Sequence, residues 1–178
     1  MSCPLRTFEW ILLVLGLIAA SVADVRARQV PNWLTMALLA LGLTARTLAG
    51  GLSALGGGLL GAALGTALLI LPFARRWIGG GDVKLLAAIG GWLGPEFTVW
   101  AALYGTAAGG VLSIVYVVFF VPREIRREVV AGFKAMFLLQ RVEAPPAREA
   151  RFSPPYALAL AVGAVVTVVI HAAQLIVR

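Results

Sequence analysis

Apolar positions fall into six runs separated by short polar breaks: 8–23, 33–49, 52–74, 83–94, 97–121 and 156–177. None alternates with the period of two that a half-buried strand shows, and a membrane span needs about 20 apolar residues, with a range of roughly 17–25. Runs two, three, five and six meet that length. The first meets it when Asp24 is counted in its last turn. The fourth is short enough for a re-entrant helix to compete with a span, and six spans is the preferred reading. Between runs five and six, Ile125, Val129, Val130, Phe133, Met136 and Phe137 recur at helical spacing, with Arg123, Arg126, Arg127 and Lys134 on other faces. This pattern predicts an amphipathic helix, either lying on the inner leaflet or packed under the bundle. Gly57, Gly61 and Gly65 recur every four residues in run three. That stripe lets two helices approach closely, inside one bundle in preference to a homo-oligomer interface.

Composition changes the solvent. Of 178 residues, 61% are apolar and 13% charged, and mean hydropathy is +0.94. Ordinary soluble domains carry about 25% charged residues. A chain of this size cannot hide so much apolar surface in a water-soluble core, so lipid must serve as solvent for most of it. One cysteine, Cys3, builds neither an internal disulfide nor a zinc site. The expected fold is therefore an all-α integral membrane protein, residues 1–178 forming one polytopic domain.

The net charge of +7 has a bland explanation, because basic residues collect in cytoplasmic loops. With the N-terminus outside, the inner loops hold 12 of the 15 Lys and Arg; only Arg6, Arg46 and Arg178 fall outside. That asymmetry predicts both termini outside and gives no reason to invoke nucleic acid. Residues 1–23 carry signal-peptide features, Arg6 ahead of an apolar run and Ser21-Val22-Ala23 at its end. Glu9 nearly cancels the leading charge, and Arg26 and Arg28 resist export, so an uncleaved first span is preferred.

The chain has only two aspartates, Asp24 at the end of run one and Asp82 at the head of run four. With alternating spans, both lie at the cytoplasmic level. An acid at that depth is costly unless paired or wet, which makes it a functional candidate. Two carboxylates brought together share a proton; one activates water while the other donates to a carbonyl oxygen. Each also has a structural alternative: Asp82 as a helix N-cap, and Asp24 as the partner of Arg26 or Arg28.

The residues around each aspartate shift that balance. The first segment reads Asp24-Val25-Arg26-Ala27-Arg28-Gln29-Val30-Pro31-Asn32, and the second Gly79-Gly80-Gly81-Asp82-Val83-Lys84-Leu85. They resemble the D-x5-[IV]-P-N and G-x-G-D-x-K-L signatures of the type IV prepilin peptidases, membrane aspartic proteases of the GxGD class. Pro154-Pro155-Tyr156 also resembles the start of the last helix in short members. The resemblance implies Asp24 and Asp82 as the catalytic pair, with no metal or organic cofactor. Gly79, Gly80 and Gly81 form a candidate active-site loop, in which glycine admits close approach and unusual backbone conformations. Pro31, Asn32 and Lys84 are candidate substrate contacts. Pro31 also ends the first helix and starts the second, Asn32 reads better as a cap of the second helix, and Lys84 as a side chain reaching for lipid phosphate. His171, near the outer end of run six, reads as a packing residue.

Long members carry a cysteine-bearing cytoplasmic domain with N-methyltransferase activity between the first two spans. Here that loop is only residues 24–32. The resemblance is thus to short, peptidase-only members serving tight-adherence (Flp-type) pili, with archaeal preflagellin peptidases a related form. It implies a prepilin or pseudopilin partner, location in the bacterial inner membrane and an active site on the cytoplasmic side. The competing reading is a non-enzymatic transporter subunit or assembly factor that keeps the acid pair for proton movement.

Overall fold

A computed structural model describes residues 7–27, 29–75, 78–120, 122 and 156–176. The amphipathic helix expected within 122–155 lies outside the described residues, as does the side chain of His171. Helices α1 (Thr7–Ala27), α2 (Asn32–Ala74), α3 (Gly80–Leu93), α4 (Pro95–Phe120) and α5 (Tyr156–Ile176) account for nearly all of the described chain, and no strand occurs there. Among the described residues, three helical stretches are long and apolar enough to cross a membrane: Glu9–Ala27, Asn32–Ala74 and Pro95–Phe119.

Helix α2 is two helical arms joined at a sharp kink. Unbroken, its 43 residues would run about 65 Å, twice the roughly 30 Å hydrocarbon core. Gly50 and Gly51 leave helical geometry, and Gly51 takes φ +66°, a conformation that glycine adopts without penalty. The chain folds back there: Gly58 lies against Leu43 and Arg46, and Arg46 Nε donates to the Ala54 carbonyl at 3.0 Å. Apolar runs two and three are therefore the arms 32–49 and 52–74 of a helical hairpin.

Helix α3 packs against both arms. Gly65 faces the Leu86 carbonyl, Gly61 faces Gly90 and Gly58 faces Gly91, an antiparallel register of backbone on backbone. The close-packed stripe is thus Gly58, Gly61 and Gly65. Gly57, expected in it, faces Arg46 instead. Along the other arm, Trp92 Nε1 donates to the Leu38 carbonyl at 2.7 Å and Trp92 covers Gly42. With 14 residues α3 is about 21 Å long, and between 82 and 93 only Lys84 is exposed. Protein rather than lipid surrounds it, so its short length leaves few backbone groups facing hydrocarbon. Gly94, at φ +84°, separates α3 from Pro95, the first residue of α4.

Helix α4 pairs with α5, and α1 packs mainly on α5. On α1, Leu13, Leu17, Ala20 and Asp24 form one buried stripe, while Ile11, Leu15, Ile18, Val22 and Val25 face outward. Asp24 thus continues the inward face of its helix at the spacing the α-helix dictates.

Candidate active site

Five chain segments converge at one end of the bundle: the end of α1, the starts of α2, α3 and α5, and the end of the second α2 arm. Asp24 and Asp82 both lie there, 9% and 8% exposed, close enough for their charges to interact. Glu9, the Gly50–Gly51 turn, Trp92 and Gly94 occupy the opposite end.

Asp24 Oδ2 accepts the backbone N–H of Ala157 at 3.0 Å. Ala157 is the second residue of α5, so this N–H is one of the donors that a helix start leaves without an internal acceptor. Asp24 therefore does for α5, from across the fold, what an N-cap side chain does locally. The segment Pro154-Pro155-Tyr156 correctly marks where the last helix starts, but nothing in it shows that this start lands on Asp24.

Asp82 is not the N-cap of α3. Gly79 holds that position, at φ −77° and ψ 153°, and Asp82 is the third helical residue. Its Oδ2 accepts the Gly79 N–H at 3.2 Å, while its own N–H donates to the Gly79 carbonyl at 3.2 Å. This is the acidic half of a capping box, the glycine supplying backbone only.

The glycines at 79–81 are not in a conformation closed to other residues. Among the described glycines only Gly51 and Gly94 have positive φ. A Cβ on Gly79 or Gly81 would make ordinary contact, 3.4 Å from the Asp82 carboxylate and from Val30, and one on Gly80 would press lightly on the Phe73 ring at 3.3 Å. Val30, with 8% exposure, was not singled out as a site residue. It joins the first signature segment to the second. Its trace in the sequence is the [IV] position of the first signature, directly before Pro31.

Pro31 caps α2 with φ −60° and ψ 135°, and its carbonyl accepts from Leu34 and Thr35 at 3.1 and 3.3 Å. Asn32 is the first helical residue and makes no side-chain cap. Its Oδ1 instead accepts from Lys84 Nζ at 2.8 Å, so neither the cap expected of Asn32 nor the lipid-directed pose expected of Lys84 is what this structure contains. An ammonium has donors only, which fixes the amide with its oxygen toward Lys84.

A family model described as the type IV leader peptidase family matches residues 11–121, more than half of the chain. The match takes in both aspartates and the segments 24–32 and 79–85 around them, and the chain belongs to that family; it is a peptidase. No curated protein and no solved structure matches it.

Proposed function

We propose that this chain is a prepilin leader peptidase in which Asp24 and Asp82 are the catalytic dyad. One observation carries the proposal: the chain's two aspartates, 58 positions apart in sequence, are buried at one end with their charges interacting. Bringing two like charges out of water costs folding free energy, and perturbed acids of this kind cluster at functional sites, which supports a catalytic role. Together the pair holds one proton. The ionised carboxylate takes a proton from water, and the resulting hydroxide attacks the scissile carbonyl. The protonated carboxyl donates to the carbonyl oxygen and then, as the tetrahedral intermediate collapses, a proton reaches the leaving amine.

The substrate in this reading is a Flp-type prepilin or pseudopilin, its basic leader in the cytoplasm and its apolar helix in the bilayer. The enzyme lies in the bacterial inner membrane with six spans, both termini outside and the dyad on the cytoplasmic side. The excess of basic residues in the loops at the aspartate end supports that orientation. Only residues 28–31 separate α1 from α2, which leaves no room for a methyltransferase domain between them, so cleavage proceeds without methylation of the new N-terminus.

A second reading has its own support, since both aspartates also bond to helix starts. In that reading they are structural anchors. Asp→Asn separates the two, because an amide oxygen still accepts a backbone N–H but cannot take up or shuttle a proton. Co-expression of a Flp-type prepilin with the parent, Asp24→Asn or Asp82→Asn protein reads leader loss as a gel shift. Leader loss with the parent alone supports the dyad; unchanged processing by both variants makes the aspartates anchors.

A further inference from the structure

We propose that the hydrogen bond between Asn32 and Lys84 is a positioning clasp that sets the separation of the two aspartates; the proposal rests on the peptidase reading above. The helices that carry the aspartates have little direct contact, because α1 packs mainly on α5 while α3 packs mainly on α2. The distance between the carboxylates is therefore fixed through intermediate contacts. Val30 and Lys84 each make one that joins the aspartate-bearing segments directly. Val30 lies against Gly81, and Lys84 Nζ donates to Asn32 Oδ1 at 2.8 Å across 52 residues of sequence. The first contact is apolar and has little directional preference. The second fixes both distance and angle.

The positions of the two residues fit this role. Asn32 opens α2 eight residues after Asp24, at the end of the linker that leaves α1. Lys84 follows Asp82 by two residues on α3. Two residues of helix turn the side chain about 200° away, so Lys84 does not serve the Asp82 carboxylate directly. Instead it leaves the otherwise buried α3 on its one exposed strip and spans the gap to α2. Both residues are exposed, and an exposed hydrogen bond of this kind contributes little to stability. Catalysis is more sensitive than folding to such a bond, since a shift of about 1 Å between reacting groups lowers rates by about a hundredfold.

The test is steady-state cleavage of a leader-bearing prepilin peptide by purified full-length protein in lipid nanodiscs. The variants are Asn32→Leu, Lys84→Met, the double variant, and Asn32→Asp. For a clasp, each single variant lowers kcat about tenfold to a hundredfold with KM within about twofold of the parent. The double variant is no slower than the slower single, because the two changes remove one bond. Asn32→Asp retains an oxygen acceptor for Lys84 and keeps kcat well above that of Asn32→Leu, which separates the bond from a bare packing effect. A rise in KM at unchanged kcat makes these residues substrate or lipid contacts and overturns the proposal, as do additive losses or parent-like kinetics. Asp24→Asn and Asp82→Asn run alongside. If the parent cleaves, the aspartate variants do not, and the clasp variants match the parent, the clasp alone fails. If the aspartate variants also cleave normally, or the parent does not cleave, the peptidase reading fails and takes the clasp with it.

Discussion

The two ends of this bundle use polar groups in opposite ways. At the end away from the aspartates, Arg46 donates to the carbonyls of Ala54 and Trp92, both at 3.0 Å, and Trp92 Nε1 donates to Leu38 at 2.7 Å. A cation there binds together the hairpin turn, the first α2 arm and the end of α3, and Glu9 adds an opposite charge nearby. Every one of those contacts favours the folded state. At the other end, two buried carboxylates face each other's charge, each held by a backbone N–H of a helix start. One end is built for stability; the other carries a repulsion that the rest of the molecule must offset. That contrast, read without any motif, points to the same end of the bundle as the proposed dyad.

Changes at the two ends should therefore separate activity from stability. The largest effect on activity belongs to the aspartate end. Asp24→Asn or Asp82→Asn lowers leader cleavage by about 10²–10⁴-fold, while membrane accumulation and melting temperature stay at or above parent values, because a repulsion is relieved. The largest effect on stability belongs to the glycine seam. A Cβ at Gly61 would collide with the Gly90 carbonyl oxygen and lie 2.8 Å from the Gly94 carbonyl carbon, both of them backbone atoms that cannot swing aside. Gly61→Val is expected to lose about 3 kcal/mol or more, read as failure to accumulate in membranes.

Next in size, Arg46→Met removes the donor to two carbonyls and should cost about 2–3 kcal/mol. Its melting temperature falls, while cleavage per folded molecule, at the far end of the bundle, stays near the parent value. The smallest effects come from positions outside both networks. A Cβ on Gly56 meets nothing within 4 Å, so Gly56→Ala is neutral or stabilises by up to about 1 kcal/mol in a melting experiment. Glu96 is exposed in the first turn of α4, beyond Gly94, and Glu96→Gln leaves cleavage unchanged.

Hydrophobic periodicity made the helices legible, because burial and lipid exposure both act through the helical repeat. Leu13, Leu17, Ala20 and Asp24 share a face by spacing alone. The break at Gly50–Gly51 was legible because two glycines interrupt an apolar run. The aspartates could be placed at one end by counting charges. What escaped the sequence was which polar side chains bond between segments distant along the chain. Asn32 has the composition of a cap, yet Pro31 takes that position, and a lysine 52 residues away takes the amide oxygen. Nothing local to Asp24 shows that its carboxylate also receives the first turn of α5. The stripe of Gly57, Gly61 and Gly65 was right in kind but not in register, because the crossing of α3 selects Gly58 in place of Gly57. Local spacing fixes which faces exist; tertiary packing decides which of them meet.

That Asp24 and Asp82 act as one unit is tested most directly by leader-cleavage rates of Asp24→Asn, Asp82→Asn and the double variant, measured side by side on equal amounts of folded protein. The expected result is that each single change removes nearly all activity and the double change removes no more, since a dyad missing either member has already lost the shared proton. Single variants that cleave at the parent rate, or a double variant whose loss is the product of two modest single losses, would contradict a shared catalytic role.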